Sequence, residues 1–409
     1  MNMNAASAHS RPTSRGTRWV FWGTAYALLV LLTGTNLPTP LYRGYETRFG
    51  FSPFVVTLIF AVYIAVLIPS LLLAGPLSDA VGRRRVLLPA LGLAALGSAA
   101  FALASDVAWL FAGRLLQGVA VGAASGALTA ALSELEPGGN RRRAALVSTV
   151  VSVGGLGLGP VLGAAVAEYA PAPGVLPFLL EIVLLVPAAV FVARMPETSR
   201  GAAPALSRWR PRRPSVPAAV RGVFLTSGSA SFAAFAVVGL FLTMVPAYVT
   251  SVTGSGNLLL GGAAAALLFA ASATVQVLTY GMRPLRLQIC GLPVLALGLG
   301  LLVLAGSRDS LGVLLVATAL AGIGHGLVFL GSLTAVNSLA PPAQHAEVIS
   351  SFYVVLYAGV GVPVLGLGIL ATRTGLLEAV GWFAASVAAL CLVVLTGLCL
   401  ARARDGYRA

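Results

Sequence analysis

The sequence predicts an all-α integral membrane protein, with twelve transmembrane helices forming two pseudo-symmetric six-helix bundles. Three observations carry that prediction. Of the 409 residues, 58% are hydrophobic and only 9% are charged, against about 25% charged in soluble domains. Too few polar side chains are present to cover a surface in water. Apolar stretches near the length that crosses a bilayer as a helix, about 20 residues, recur along the whole chain. The two halves of the chain also repeat one another weakly. Lipid cannot satisfy backbone polar groups, so the spans are helices. They run past the length of barrel strands and lack polar alternation, which argues against a β-barrel.

In order, the apolar stretches fall at 19–41, 53–74, 86–105, 107–132, 144–168 and 174–195, then at 222–249, 258–281, 287–306, 311–337, 348–371 and 378–400. The first is too long for a cleaved signal peptide, and no clean small-residue cleavage site follows it. Residues 196–221 form the longest polar stretch, and Pro, Ala, Ser and Arg dominate it, so it reads as a linker. The expected organisation is a tail at 1–17, a six-helix half at 18–195, the linker at 196–221, a second half at 222–400 and a tail at 401–409.

The formal charge is +14, yet its placement excludes a nucleic-acid partner. Every basic residue is Arg, and the arginines cluster in short segments between apolar stretches rather than along one amphipathic face. Arg11, Arg15 and Arg18, Arg83 to Arg85, Arg141 to Arg143, the linker arginines, Arg283 and Arg286, and Arg402, Arg404 and Arg408 fall on one side of the twelve-span threading. That side holds 21 of the 26, the other holds Arg43, Arg48, Arg308 and Arg373, and Arg114 lies within a span. Positive charge marks the cytoplasmic side, so both termini are expected in the cytoplasm. Arg-only usage with abundant Ala and Gly fits a GC-rich genome and a bacterial cytoplasmic membrane. Cys290, Cys391 and Cys399 fall inside spans without CxxC spacing. They read as buried apolar packers, and no metal or cofactor is expected.

Pro160-Val-Leu-Gly163 recurs as Pro363-Val-Leu-Gly366 at an offset of 203, Gly118 and Gly122 match Gly322 and Gly326 at 204, and Pro40-Leu-Tyr42 matches Pro246-Ala-Tyr248 at 206. Each match alone is at chance level in a chain rich in Gly and Ala. Three in order, at nearly constant offset, mark two parallel six-helix repeats, an arrangement that puts a substrate site near mid-membrane between them.

The segment joining the second and third spans reads Gly75-Pro-Leu-Ser-Asp79-Ala-Val-Gly82-Arg83-Arg84-Arg85. It is expected to be a tight turn in which Gly75 and Gly82 permit close approach or positive φ. Asp79 can pair with an Arg or with a helix N-terminus, while the arginines meet anionic headgroups. This segment resembles the signature loop of the major facilitator superfamily. The resemblance implies that Asp79 latches the two halves on the cytoplasmic side, supported by Arg83 and Arg84. Ala80 stands where a basic residue is common, and the counterpart from Tyr280 to Arg286 lacks the Asp. Pro137-Gly-Gly-Asn-Arg141-Arg-Arg-Ala144 resembles that family's loop between the fourth and fifth spans, and Pro196-Glu197-Thr198 resembles the end of its sixth span.

Gly113-Arg114-Leu-Leu-Gln117-Gly118 lies in the fourth span. A charge at the bilayer centre costs about 2.5–3.5 kcal/mol even on lenient scales, so Arg114 must face protein or water. It resembles the family's fourth-helix Arg, which is linked to proton transfer. Because Arg itself holds its proton, two readings stand: tuning a nearby carboxylate, or capping backbone carbonyls. In the fifth span Gly155-x-x-x-Gly159-Pro160-x-x-Gly163 resembles the motif of drug:proton antiporters, with Ala164 in place of a Gly. Generic small-residue helix packing is the competing reading.

Glu181 and His325 are the other ionisable groups within spans. Glu181 lies on a helix that is peripheral in the family, so structural pairing competes with a proton-carrying role. The spacing from Arg114 through the repeat makes His325 project as Arg114 does, and its titration near neutral pH suits proton coupling. Asn36, Gln117, Phe235 and Phe241 are candidate cavity residues. The first span has no acidic residue, unlike that of many proton-coupled drug exporters. No nucleotide-binding loop and no cluster of His, Asp and Glu appears, which points away from a pump or an enzyme. The expected partners are a small molecule, protons and lipid. A monomeric exporter of lipophilic or weakly cationic compounds is favoured over a sugar or organic-acid symporter.

Overall fold

A computed structural model describes residues 14–198, 215–341 and 344–406. Among them twelve helices are long and apolar enough to cross a membrane, one for each predicted stretch. The first crossing comprises α1 (Ser14–Asn36), a 3-10 turn (Thr39–Leu41) and α2 (Tyr42–Phe49). Then come α3 (Pro53–Val81), α4 (Arg83–Ala102), α5 (Val107–Leu135), α6 (Arg141–Tyr169) and α7 (Leu176–Arg194). The second bundle holds α8 (Arg221–Thr243) with its extension α9 (Val245–Thr253), α10 (Leu258–Leu278), α11 (Pro284–Ser307), α12 (Leu311–Leu339), α13 (His345–Thr374) and α14 (Leu376–Gly406). With an even number of crossings, α1 begins and α14 ends on one side, the terminal face.

The repeat is visible as packing. Gly118 and Gly122 on α5 lie so close to the carbonyls of Tyr63 and Leu67 on α3 that a methyl group at either position would collide. Gly322 and Gly326 on α12 meet the carbonyls of Leu268 and Ser272 on α10 in the same way. The first helix of each bundle breaks near a proline, which lacks the N–H needed to continue the ladder. Tyr42 and Tyr248, matched in sequence, lie just beyond these breaks and are both buried. The third match diverges: Gly163 packs on Leu37, while Gly366 has open space beside it.

The bundles meet through α6 against α10 and α3 against α13. Gly262 receives the Pro160 carbonyl, Gly361 faces Ile64, and Gly368 faces Thr57. At the face away from the termini, Glu168 accepts from the Leu258 N–H at 2.9 Å and Asn257 Nδ2 donates to the Tyr169 hydroxyl at 3.1 Å. There, residues 30–42 and 236–245 are buried without a break. Toward the terminal face, residues 68–81 of α3 bury only Ala74 and Ser78. The bundles are closed against each other on the side opposite the termini.

Two expectations need correction. The segment from Gly75 is not a turn: α3 continues as helix through Val81, and Gly75 has open space beside it. The hydropathy stops before the helix does, because residues beyond the apolar slab keep their backbone bonds while exposing polar side chains. Cys290 and Cys399 are exposed on the outer surface of the bundle, and only Cys391 is buried. A thiol on a helix face turned toward lipid needs no burial in protein. Most of the predicted linker, residues 199–214, lies outside the described residues, as do Arg11 and Arg408.

Candidate functional site

Arg114 is fully buried inside the first bundle. Gly113 brings α5 against the Phe101 ring, and Gly118 brings it against α3, so the guanidinium projects among α1, α3 and α4. Its Nε donates to the Tyr42 hydroxyl at 2.7 Å. Its Nη1 donates to the Thr35 carbonyl at 2.6 Å and to Gln117 Oε1 at 2.9 Å. The rings of Tyr42, Phe60, Tyr63 and Phe101 surround it, with centroids 5.5–5.7 Å away. Such contacts contribute about 2 kcal/mol each when desolvated, which offsets the burial of a charge that has no carboxylate in contact. Nη2 has no hydrogen-bond partner.

Glu181 reaches this centre from α7. Its carboxylate accepts a short hydrogen bond from the Ser98 hydroxyl on α4 and is buried. It occupies the space that a side chain at position 34 of α1 would fill: a methyl group on Gly34 would fall on the carboxyl group. The Arg114 guanidinium acts on it electrostatically. A carboxyl group from the sixth span thus lies against the backbone of the first. Gln117 Nε2 donates to the Gly34 carbonyl at 3.3 Å, so Gly34 lies between Glu181 and the Gln117 partner of Arg114.

His325 lies in the second bundle, where the repeat places an equivalent groove. Arg114 projects between α3 and the first-crossing helix, and His325 projects between α10 and α8. Its Nδ1 is 2.9 Å from Ser272 Oγ, which accepts from Gln276 Nε2 at 3.0 Å. Phe235 and Phe329 flank the ring, with centroids at 5.1 and 6.1 Å.

The loop at the terminal face is an ion-pair cluster. Arg83 pairs with Glu134 through Nε and Nη2 at 2.9 and 2.7 Å, and its Nη1 is 3.2 Å from Asp79. Glu197 accepts from the backbone N–H groups of Arg83 and Arg84 at 2.8 and 3.3 Å. The anion at the α4 N-terminus is thus Glu197 rather than Asp79. Gly82 adopts φ +109, and a side chain there would strike Glu197. Glu197→Ala is expected to lower stability by about 0.5–1 kcal/mol, the usual worth of an exposed anion at a helix N-terminus. Thermal unfolding of the detergent-purified protein would report it, with the effect shrinking at high salt.

Gly155, Gly159 and Gly163 form one stripe of α6 that packs on the carbonyls of Leu29, Thr33 and Leu37. Pro160 lies on the opposite stripe, against Gly262 of the other bundle. The four motif residues therefore hold α6 between α1 and α10. Asn36 is buried and donates to the Leu156 carbonyl on α6 at 3.0 Å. Gln117 is engaged with Arg114, and Phe241 is fully enclosed in the core. Of the four expected cavity residues, Phe235 alone keeps a partly exposed ring. Sequence reasoning missed Ser98, Glu134 and Phe329. Phe329 lies four residues after His325, a same-face spacing that could have revealed it.

A family model described as the Major Facilitator Superfamily matches residues 24–362. The chain belongs to the major facilitator superfamily. A major facilitator protein of this build is a transporter of small molecules rather than an enzyme. Over 148 residues it is 33% identical to the Bacillibactin exporter of Bacillus subtilis (strain 168), a match spanning 34% of this chain and 37% of the exporter's length. Among solved structures it resembles a POT family transporter in complex with 5-aminolevulinic acid, with TM-score 0.77, 13% identity, and coverage of 93% of this chain and 96% of that one. It also resembles a bacterial homolog of the human lysosomal transporter Spinster in an inward-facing and occupied conformation. There the TM-score is 0.71 at 14% identity, covering 94% and 96%. At these identities the likeness establishes the shared twelve-helix fold.

Proposed function

We propose that this major facilitator transporter is a monomeric secondary active exporter in the cytoplasmic membrane of a bacterium. It moves lipophilic or weakly cationic small molecules outward while protons enter. The observation that carries the reading is the pair Glu181 and Arg114. A buried acid and a buried base share one bundle without a contact ion pair, and ionisable groups at this depth are functional by default. The Ser98 hydroxyl and the Arg114 guanidinium both favour the deprotonated carboxylate, and protonation of Glu181 releases it from both. That release is a two-state element through which a proton biases the bundle. The arginine bias supports a cytoplasmic terminal face, toward which the bundles part. Rocking of the bundles about the central site would then release substrate outside. The stretch of identity with an exporter agrees with this direction.

The test is ligand-triggered proton movement. Inverted vesicles holding the protein would be energised, and a pH-sensitive dye followed while lipophilic cations, antibiotics and sugars are added in turn. Dye recovery with the wild type, reduced to the level of empty vesicles in Glu181→Gln, is the expected result. Silence there, with proton uptake on addition of a sugar or organic acid to right-side-out vesicles, would replace export by uptake symport.

A further inference from the structure

The groove around His325 has a feature its counterpart around Arg114 lacks. In the first bundle the aromatic cage is filled by the protein's own guanidinium, held by three hydrogen bonds. In the second bundle the equivalent cage holds a donor with nothing to donate to. Gln276 donates to Ser272 Oγ, which leaves the Ser272 hydroxyl proton for His325 Nδ1. Nδ1 is then the acceptor, and the neutral ring carries its proton on Nε2. The opposite tautomer would leave both the serine proton and Nε2 unpaired, one orphan more. Nε2 is buried and has no partner.

The rings beside it are not sealed in. Phe235 and Phe329 are only partly buried and lie 5.2 Å apart at 71°. Tyr353 and Tyr357 on α13 are also partly buried and stack with centroids 6.4 Å apart. Tyr357 lies one turn before Gly361, which packs on Ile64 of the other bundle. Phe235, Phe329 and Tyr353 pack on one core cluster around Phe224 and Phe352, so the aromatic surface reaches toward the seam where the bundles separate. Among the described residues no acidic side chain contacts this groove, so it offers a cation no counter-charge.

We infer that His325, Phe235 and Phe329 form a substrate subsite for planar aromatic molecules bearing a hydrogen-bond acceptor oxygen. The ring of the ligand stacks on the exposed faces of Phe235 and Phe329, which touch each other edge to face, and its oxygen accepts from Nε2, which satisfies the orphaned donor. Ser272 and Gln276 are positioning residues that hold the tautomer. The inference rests on the transporter reading above and narrows its substrates to oxygen-bearing aromatics.

Two probes of one shape isolate the hydrogen bond: 9-fluorenone, with a carbonyl, and fluorene, without it. Tritiated forms of each would be bound to the purified full-length protein in detergent and corrected for partition into empty micelles. The wild type is expected to hold 9-fluorenone on the order of tenfold tighter than fluorene, the margin that one buried donor left unpaired or paired provides. His325→Phe should abolish that preference while fluorene still binds. Phe235→Ala should weaken both probes together. Equal binding of the two probes by the wild type, absence of binding by either, or a preference that survives His325→Phe would each overturn the subsite. Equilibrium binding needs neither a proton gradient nor a direction. A failed discrimination therefore sinks the subsite alone, while intact discrimination with silent vesicles sinks the coupling alone.

Discussion

Arg114→Ala is expected to destabilise the purified protein by about 3–5 kcal/mol and to abolish transport. Three groups depend on this guanidinium: the Tyr42 hydroxyl, the Thr35 carbonyl and Gln117 Oε1. Each buried polar atom deprived of its partner costs about 1–3 kcal/mol, and the alanine also leaves a void that four aromatic rings cannot close without moving. The loss falls on the joint between α1, α3, α4 and α5, so the whole first bundle loosens. Arg114→Lys separates charge from geometry. An ammonium keeps the positive charge but cannot reproduce the planar fork that reaches Tyr42, Thr35 and Gln117 together. Its thermal midpoint should lie between those of the wild type and Arg114→Ala, with transport still largely lost. A lysine variant as stable and as active as the wild type would reduce Arg114 to a mere charge.

Much of this architecture is legible in the residues alone. The spans are legible because lipid imposes a length and a composition on each crossing. So are the glycine pairs at 118/122 and 322/326, because close helix packing demands small residues at fixed spacing, and both pairs perform the same task against α3 and α10. The site is less legible. Glu181 reads as peripheral because its helix lies at the edge of the bundle. Only the tertiary arrangement shows that Gly34 leaves a slot into which a carboxylate from another helix reaches. Glu197 belongs to a recognisable segment at the end of the sixth span, but its capping of α4 depends on where α7 ends in space. Position 75 misleads for a different reason. A glycine before a proline looks like a turn, yet the helix absorbs both, since Pro76 is one of two prolines inside α3.

The two bundles also divide their labour in a way the repeat alone conceals. Both place an ionisable side chain of the fourth helix in the groove beside the second. The first bundle fills that groove with its own guanidinium and adds a carboxylate, the pair to which the proposed function gives the proton. The second fills it with a ring whose Nε2 lacks a partner, the group that the proposed subsite offers to a ligand. Coupling between proton and substrate then requires only that both grooves border the seam where the bundles part. Tyr63 meets that condition, since it packs on Arg114 and its neighbour Ile64 meets Gly361 of the other bundle.

Gly34→Ala is expected to uncouple the protein, and it is the sharpest test of the Glu181 site. The added methyl would occupy the position of the carboxyl group, and α1 cannot retreat, because Gly155 and Gly159 already hold its backbone against α6. Glu181 must therefore leave Ser98 and find another rotamer in a packed interior, where overpacking costs about 1–3 kcal/mol. Proton movement in inverted vesicles should fall to background, although the protein still inserts and purifies. Combining Gly34→Ala with Glu181→Ala relieves the clash, so the double variant should regain the stability that the first substitution took. It should not regain proton movement, because the acid is gone. That pattern, strong coupling in stability with none in transport, distinguishes a steric slot built for a proton-bearing carboxylate from ordinary tight packing. If Gly34→Ala moved protons as the wild type does, Glu181 would not be the coupling acid, and proton entry would have to be sought elsewhere in the chain.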